Sequence, residues 1–336
     1  NTSTTTPSVV LIGSVGTTPT TNNALRNCVI INGANTSSAV VISDATVSGN
    51  AGLFSNITVH NNDIQRAFIG VFAQGGTTPQ GGSNLAYTNN TLYTTGANAI
   101  RLAGLYMQGV NGATVSNNTI GNFDNTSAEN DTAIWLATGT TNATVAGNTV
   151  TNLGMTLTSA FAPRGIVESS GLAISGNIIS NNTVTNLTTS GSTAIVGIEN
   201  NGGGTIIERN KVSGIINSNT STYGAYGINI SANNNAIIRN NFVSNITGDM
   251  TGGAAFSTTF GLFGIRIAAG NGHQVYFNSV NLYGPRTGTA TTTLLTSAFA
   301  LVGTASTGCD VRNNIFANNI TGGTISIANV SVYLPS

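Results

Sequence analysis

A pair of asparagines, flanked on both sides by apolar residues, returns down this chain at intervals close to thirty residues. It stands as Val59-His60-Asn61-Asn62-Asp63-Ile64 and as Val115-Ser116-Asn117-Asn118-Thr119-Ile120. Further copies, some with only the second asparagine, run over 87–92, 145–150, 179–184, 207–212, 238–243, 275–280 and 311–316. A degenerate first copy over 25–30 has Asn27 followed by Cys28. Counted on the second residue of each pair, the steps are 34, 28, 28, 30, 34, 28, 31, 37 and 36 residues. A period of this size is the mark of a solenoid, in which each repeat buries its apolar face against its neighbours.

The physical content of the repeat is a bend between two short strands. β-Branched runs favour strands, and alternation points residues such as Val115 and Ile120 to one interior. Asn tolerates left-handed backbone, which a tight bend requires. Stacked copies place the amides one above another, where they can hydrogen-bond along the stack.

A second signal marches in phase with the first. It is a Gly/Ala-apolar strand: Ile69-Gly70-Val71, Ala99-Ile100-Arg101-Leu102, Ala133-Ile134-Trp135-Leu136 and Gly165-Ile166-Val167. It continues as Gly197-Ile198-Glu199, Gly227-Ile228-Asn229-Ile230, Gly264-Ile265-Arg266-Ile267 and Ala300-Leu301-Val302. The expected fold is therefore all-β: a single-stranded, right-handed parallel β-helix of about ten coils of 28–37 residues, with three strands per coil. The handedness extends the crossover rule for parallel strands. One domain is expected over 1–336, with a first coil and N-terminal edge over 1–24, repeat coils over 25–320 and a C-terminal edge over 321–336. At ~4.8 Å per coil the rod is about 50 Å long. Thr/Ser/Gly-rich stretches such as Thr94-Thr95-Gly96 and Thr188-Thr189-Ser190-Gly191 read as surface loops.

Only 6% of residues are charged and the formal net charge is zero, so nucleic acid is not an expected partner. No apolar run approaches the ~20 residues of a membrane-spanning helix. The low charge and Asn/Thr/Gly richness point to a secreted chain, extracellular or at a cell surface, with its signal peptide already removed. Cys28 and Cys309 fall in the first and last coils, too far apart to bond within one copy. They are read as small buried hydrophobes, with a bond between stacked subunits as the sharper alternative.

The expected interfaces are the ends. A solenoid needs polar caps or charged edges to stay apart from its own kind. Here the first charged residue is Arg26 and the last is Arg312. Val9, Val10, Leu11 and Ile12 at one end, with Ile325, Ile327, Val330, Val332 and Leu334 at the other, form uncharged apolar edges. Copies of the chain stacked head to tail would cover them. Loops folded over the ends and a flanking domain are the alternatives.

The search for chemistry yields a face and no catalytic residue. Arg101, Trp135, Glu199 and Arg266 are read on one outward column, with Trp135 placed to stack on a sugar. Glu168 is the one carboxylate close enough in sequence to pair with Glu199, and glycosidase chemistry needs such a pair. The bland reading is a solvated face with isolated ion pairs. Glu208 and Arg239 are expected to pair across adjacent coils. The acidic segment 124–131 is a weak candidate for a Ca²⁺ loop. No metal site and no cofactor is expected, and whether the chain is an enzyme is left open, with a non-enzymatic role the favoured reading. Of the many glycosylation sequons, those inside the ladder, such as Asn117, are expected to be poor acceptors and those in loops, such as Asn125, better ones.

The pattern Gly-Ile-x-Ile at 227–230, joined to Ala-Thr-Val-Ser-Asn-Asn-Thr-Ile at 113–120, resembles the right-handed parallel β-helix, or pectin-lyase-like, superfamily. The resemblance spans roughly 25–320 and its style is closest to repeat regions of bacterial secreted surface proteins and adhesins. It implies the fold; enzymes, adhesins and passenger domains share that fold, so it implies no single activity. Pectate lyases of the superfamily carry clustered Asp and Arg residues that this chain lacks. The function expected is that of an extracellular structural protein, a β-helical subunit assembling head to tail into a filament or surface fibre, with itself as partner. The alternatives are a carbohydrate-binding or polysaccharide-cleaving β-helix and an adhesin, with polysaccharide or a cell surface as partner. An ice-binding surface is a further thought, set against Thr runs that fall in irregular loops.

Overall fold

The structure is a computed structural model and describes residues 8–47, 49–220, 223–249, 257–285, 294–321 and 329–335. Every ladder between its named strands is parallel and joins one coil to the next. The strands form sheets of eleven, ten and ten strands, with a short four-stranded sheet beside them in the first coils. The chain is thus a parallel β-solenoid. A representative coil has strands Ile195–Asn200, Ile206–Glu208 and Lys211–Asn217, and the next repeats it as Ala225–Ile230, Ile237–Arg239 and Phe242–Gly248. The fourth short sheet was not expected from the sequence. Its strands, such as Phe54–Ser55 and Gly82–Ser83, have two residues each. Among the described residues, the helix content is one 3-10 turn, Gly96–Asn98.

The core is one continuous column. Val71, Leu105, Ile134, Ile166, Ile198, Ile228 and Ile265 follow one another in register from coil to coil. All of them are fully shielded from solvent. The strands facing them contribute Ile120, Val150, Val184, Val212 and Val243.

The residue before each of these core positions is Gly or Ala for a steric reason. A Cβ built on Gly197 would lie 2.5 Å from Val212 Cγ1 and 2.6 Å from the Gly227 carbonyl oxygen. Gly70, Gly104, Gly165, Gly227 and Gly264 meet the same obstacles, a branched side chain opposite and the carbonyl of the next coil. The Gly/Ala signal therefore marks the closest approach of the eleven-stranded sheet to the sheet facing it.

Two members of that signal were placed out of phase. The strand of the fourth coil is Ala103–Gln108, not Ala99-Ile100-Arg101-Leu102. Ile100 is buried, which explains the false match: it packs on the core from the corner that precedes the strand. Near the C-terminus the strand is Thr296–Leu301, and Phe299, an aromatic residue, pairs with Ile265 in the core column.

The asparagine pairs divide their labour. The first member sits in the left-handed region: φ is 52° at Asn61, 56° at Asn89 and Asn117, and 55° at Asn181. The second member is buried and forms the ladder. Eight amide-to-amide bonds of 2.8–3.1 Å run unbroken from Asn62 through Asn90, Asn118, Asn148, Asn182, Asn210, Asn241 and Asn278 to Asn314. Each amide oxygen also accepts a backbone N–H from the preceding coil, as Asn182 Oδ1 does from Asn148. Each Nδ2 also donates to a strand carbonyl of that coil, as Asn182 does to Val145. Asn117 itself is exposed, so its sequon is not engaged in the ladder as expected; the engaged side chain is that of Asn118.

Phe277 holds the left-handed position of the ninth bend, with φ of 56° and 56% exposure. A bulky side chain is strained there. Phe277→Asn is therefore expected to stabilise the chain by about 1 kcal/mol. A thermal melt of the variant at or below the wild-type midpoint contradicts this.

Candidate functional site

The outer face of the eleven-stranded sheet carries a column of aromatic and charged side chains. Its register aligns Phe72, Tyr106, Trp135, Val167, Glu199, Asn229 and Arg266. Trp135, Glu199 and Arg266 therefore share one column, as the sequence reading has them. Arg101 does not. It lies before its strand, forms a two-point ion pair with Glu129 at 2.6 and 3.0 Å, and covers Phe68. Tyr106 takes its place in the column, a residue the sequence reading missed because the strand was placed five residues early.

The column has two halves. At the N-terminal end Phe72 and Tyr106 stack with centroids 5.2 Å apart and planes within 8°. Trp135 meets Tyr106 edge-on at 5.2 Å. All three are partly exposed, which leaves a short aromatic stripe. Polar groups border it: Tyr106 donates to Gln108 Oε1 at 2.8 Å and Trp135 Nε1 to Ser169 Oγ at 2.8 Å.

The other half is a charged cluster held by apolar cover. Glu199 Oε2 lies 2.9 Å from Arg164 Nη1, an ion-pair contact. Arg266 donates to Asn229 Oδ1 at 3.0 Å and to the Thr258 carbonyl at 3.1 Å. Its guanidinium lies over Tyr226 and Phe263, 5.0 and 5.8 Å from their centroids. Burial lowers its affinity for its proton below that of an ordinary arginine. These partners fix Arg266 in place.

Glu168 does not join Glu199. Its register partner is Asn200, and both point into the solenoid while Val167 and Glu199 point out. The two carboxylates lie on opposite faces of the sheet, so the paired-carboxylate geometry of glycoside hydrolysis is not built here. Glu168 accepts from Asn177 Nδ2 at 2.8 Å, and burial raises its pKa against the pull of those hydrogen bonds. The expected Glu208–Arg239 pair is present at 2.7 Å, with Arg209 as a second partner on the same carboxylate.

The acidic segment 124–131 is divided three ways, which removes it as a calcium cup. Asp124 caps its own turn through the N–H of Thr126 at 2.9 Å. Glu129 belongs to Arg101. Asp131 is fully buried, and neither of its oxygens has a hydrogen-bond partner. No group of three or more metal-ligating side chains occurs among the described residues. Burial, with Glu129 and Asp124 nearby, pushes the Asp131 pKa up to about 9. The folded chain then holds a proton that the unfolded chain has released above its ordinary value of 3.8. Stability from this group is complete below 3.8 and falls as pH rises towards about 9. Asp131→Asn is expected to match wild type near pH 4 and to unfold at higher denaturant than wild type at pH 8. A difference that stays constant between those pH values contradicts the assignment.

The ends form the second candidate surface. Val10 and Ile12 rest half-buried on the core, with Leu25 and Cys28 beside them. Leu11 points outward in line with Val41 and Phe72, and is 44% exposed. Val9, Val29 and Ile31 are also exposed in this first coil. At the other end Val332 pairs with Phe299 and Val330 with Ser297 on the edge strand Asn329–Tyr333. Val332, Leu334, Ile315 and Val311 are exposed. Ile325 and Ile327 lie outside the described residues. Cys28 and Cys309 are both free thiols.

Threonines form one regular array that was expected only in loops. Thr91, Thr119, Thr149 and Thr183 align on four successive coils of the third sheet, and Lys211 and Phe242 follow them in the column. The array is short and ends in a charge and an aromatic ring.

Stacked coils of three parallel sheets, joined by a buried amide ladder, define a β-helix protein. Residues 52–215 match the family model of the right handed beta helix region. The pectin-lyase-like resemblance of the repeat is consistent with it. The coils continue in the same sheets on both sides of the matched stretch. No curated protein matches the chain. No helix among the described residues is long and apolar enough to cross a membrane.

Proposed function

We propose that this chain is an extracellular structural protein, a β-helical subunit that joins copies of itself head to tail into a filament or surface fibre. One observation carries the reading: the hydrophobic core reaches both ends of the described coils only half covered. Val10, Ile12, Leu25 and Cys28 close it at one end, Leu301 and Phe316 at the other. An exposed apolar strand edge is a template for pairing. All strands run parallel, so the C-terminal edge of one copy offers the donors and acceptors that the N-terminal edge of another requires. Such a contact is heterologous and does not close, which gives a linear polymer.

The test is sedimentation velocity over a wide concentration range, with Val332→Lys as the edge-blocked variant. The reading expects wild type to form growing species and Val332→Lys to remain a single rod with an unchanged circular dichroism spectrum. Wild type that stays a single rod up to the highest concentration overturns it.

A second reading, carbohydrate binding, is favoured by the aromatic stripe. Phe72, Tyr106 and Trp135 present ring surface on a rigid sheet with Gln108 and Ser169 alongside, the mix of apolar platform and fixed polar groups that suits a sugar. Retention on insoluble polysaccharide, lost in Trp135→Ala, supports it; passage without retention removes it.

A further inference from the structure

We infer that Glu168 is a proton-operated latch between two coils: as the neutral acid it closes the first corner of its coil on Asn200, and as the carboxylate it loosens that corner. The inference does not depend on how copies of the chain meet.

Glu168 and Asn200 interrupt an apolar column. In register, Leu136 precedes them and Ile230 and Ile267 follow, all buried. The two polar side chains leave the sheet on the same inner face, one strand spacing of ~4.8 Å apart. Both are fully buried. Gly202 seals the corner: a Cβ built on it would lie 2.3 Å from each carboxylate oxygen of Glu168.

The surrounding hydrogen bonds fix both side chains. The Ala143 N–H donates to Asn177 Oδ1 at 2.9 Å, so Asn177 Nδ2 is the group turned to the Thr140 carbonyl at 3.1 Å and to Glu168 Oε1 at 2.8 Å. Asn200 Nδ2 donates to the Gly202 carbonyl at 2.9 Å, which turns Asn200 Oδ1 away from it. Turning that amide over would set two oxygens against each other. Three buried oxygens are then without a partner: Glu168 Oε2, Asn200 Oδ1 and Ser170 Oγ. With Glu168 ionised, two of them only accept, and the Ser170 hydroxyl brings the one hydrogen for both. The cluster is one hydrogen short. A proton on Glu168 Oε2 makes up the count and is donated to Asn200 Oδ1 across the boundary between coils.

No cation balances a carboxylate here. The strands on either side and the covering segments 169–177 and 201–205 hold one other charged residue, Glu199, which faces outward to Arg164. Glu208, Arg209 and Arg239 pair with one another on the second sheet. Burial raises the Glu168 pKa above its ordinary 4.5, against the pull of the polar groups beside it. The folded chain keeps a proton that the unfolded chain gives up above 4.5. Stability from this group is complete below 4.5 and is lost as pH rises through the folded value.

Glutamine is the uncharged isostere that keeps a donor for Asn200. The experiment compares wild type with Glu168→Gln in urea unfolding at pH 4 and pH 8. It also follows the side-chain carboxyl resonances of a chain labelled with carbon-13 glutamate over that range. Asp131 and His273 are common to both chains, so their own titration cancels. The inference expects equal midpoints at pH 4 and a higher midpoint for Glu168→Gln at pH 8. It expects a carboxyl resonance, missing from the variant, that titrates above 4.5. At pH 8 it expects faster amide exchange in wild type than in the variant, concentrated in 164–180 and 195–208. A Glu168→Gln chain that unfolds before wild type at pH 8, or does not fold, overturns it, because the corner then uses the carboxylate itself, as a bound cation would require. A midpoint difference that is the same at both pH values overturns it, as does a Glu168 resonance that titrates at or below 4.5. Exchange that quickens evenly along the rod overturns the latch.

Discussion

Asn182→Leu is expected to destabilise the chain by about 4 kcal/mol, although the side chains are of similar size. Asn182 sits in the middle of the ladder, 1% exposed. Its oxygen accepts from the Asn148 N–H and Nδ2 at 3.0 and 2.9 Å, and its nitrogen donates to the Val145 carbonyl and to Asn210 Oδ1, both at 2.9 Å. Leucine leaves these groups buried without partners, at ~1–3 kcal/mol each for those that find no water. Asn181→Gly, one residue earlier, is the control. Asn181 is exposed with φ of 55°, a geometry that glycine adopts freely, so little change is expected. Urea unfolding of both variants decides the matter. Because repeats interact with their nearest neighbours, faster amide exchange is expected first in the coils on either side of position 182. A loss below ~1 kcal/mol in Asn182→Leu contradicts the ladder's role.

The second large effect is expected at Gly197. Gly197→Val puts a branched side chain where the first carbon alone would lie 2.5 Å from Val212 Cγ1 and 2.6 Å from a backbone carbonyl of the next coil. Backbone on that side cannot yield without parting two coils. The loss is expected to reach ~3 kcal/mol or more, or to prevent folding. Gly197→Ala adds that first carbon without the branches and is expected to destabilise too, by less than valine, since Ala133 and Ala298 show that other coils adjust to a methyl group in this column. Soluble yield and denaturant midpoint of the pair give the comparison. Wild-type stability in both variants contradicts the close approach of the two sheets.

Both effects rest on features that the sequence displays, and the reason is physical. The ladder asparagine and the small residue before the core column are each dictated by what lies one coil above and below. They must recur at every coil, and recurrence is visible without coordinates. Phase is a weaker signal. Ala99-Ile100 copies the Gly/Ala-apolar pair and buries Ile100 just as a strand would, yet it belongs to a corner. The error carried Arg101 into the outer column and hid Tyr106. Facing direction was lost in the same way: Glu168 and Glu199 look like neighbours along the repeat, but the alternation of the strand sends one inward and the other outward.

The side-chain chemistry of single coils was the least legible. Nothing in the order Asp124, Glu129, Asp131 announces that the first caps a turn, the second meets an arginine and the third is buried without a partner. Those roles are set by loops that occur once, and a single occurrence has no period to betray it. The apolar ends were legible for the opposite reason. An edge strand reads like any other strand of the repeat, and what distinguishes it is the lack of charge around it.

The measurement that tests the account most directly is negative-stain electron microscopy of the purified chain at low micromolar concentration. Head-to-tail stacking predicts unbranched filaments whose axial repeat matches one rod of stacked coils, about 50 Å at ~4.8 Å per coil. Discrete short rods that neither lengthen nor pair end to end as concentration rises contradict it.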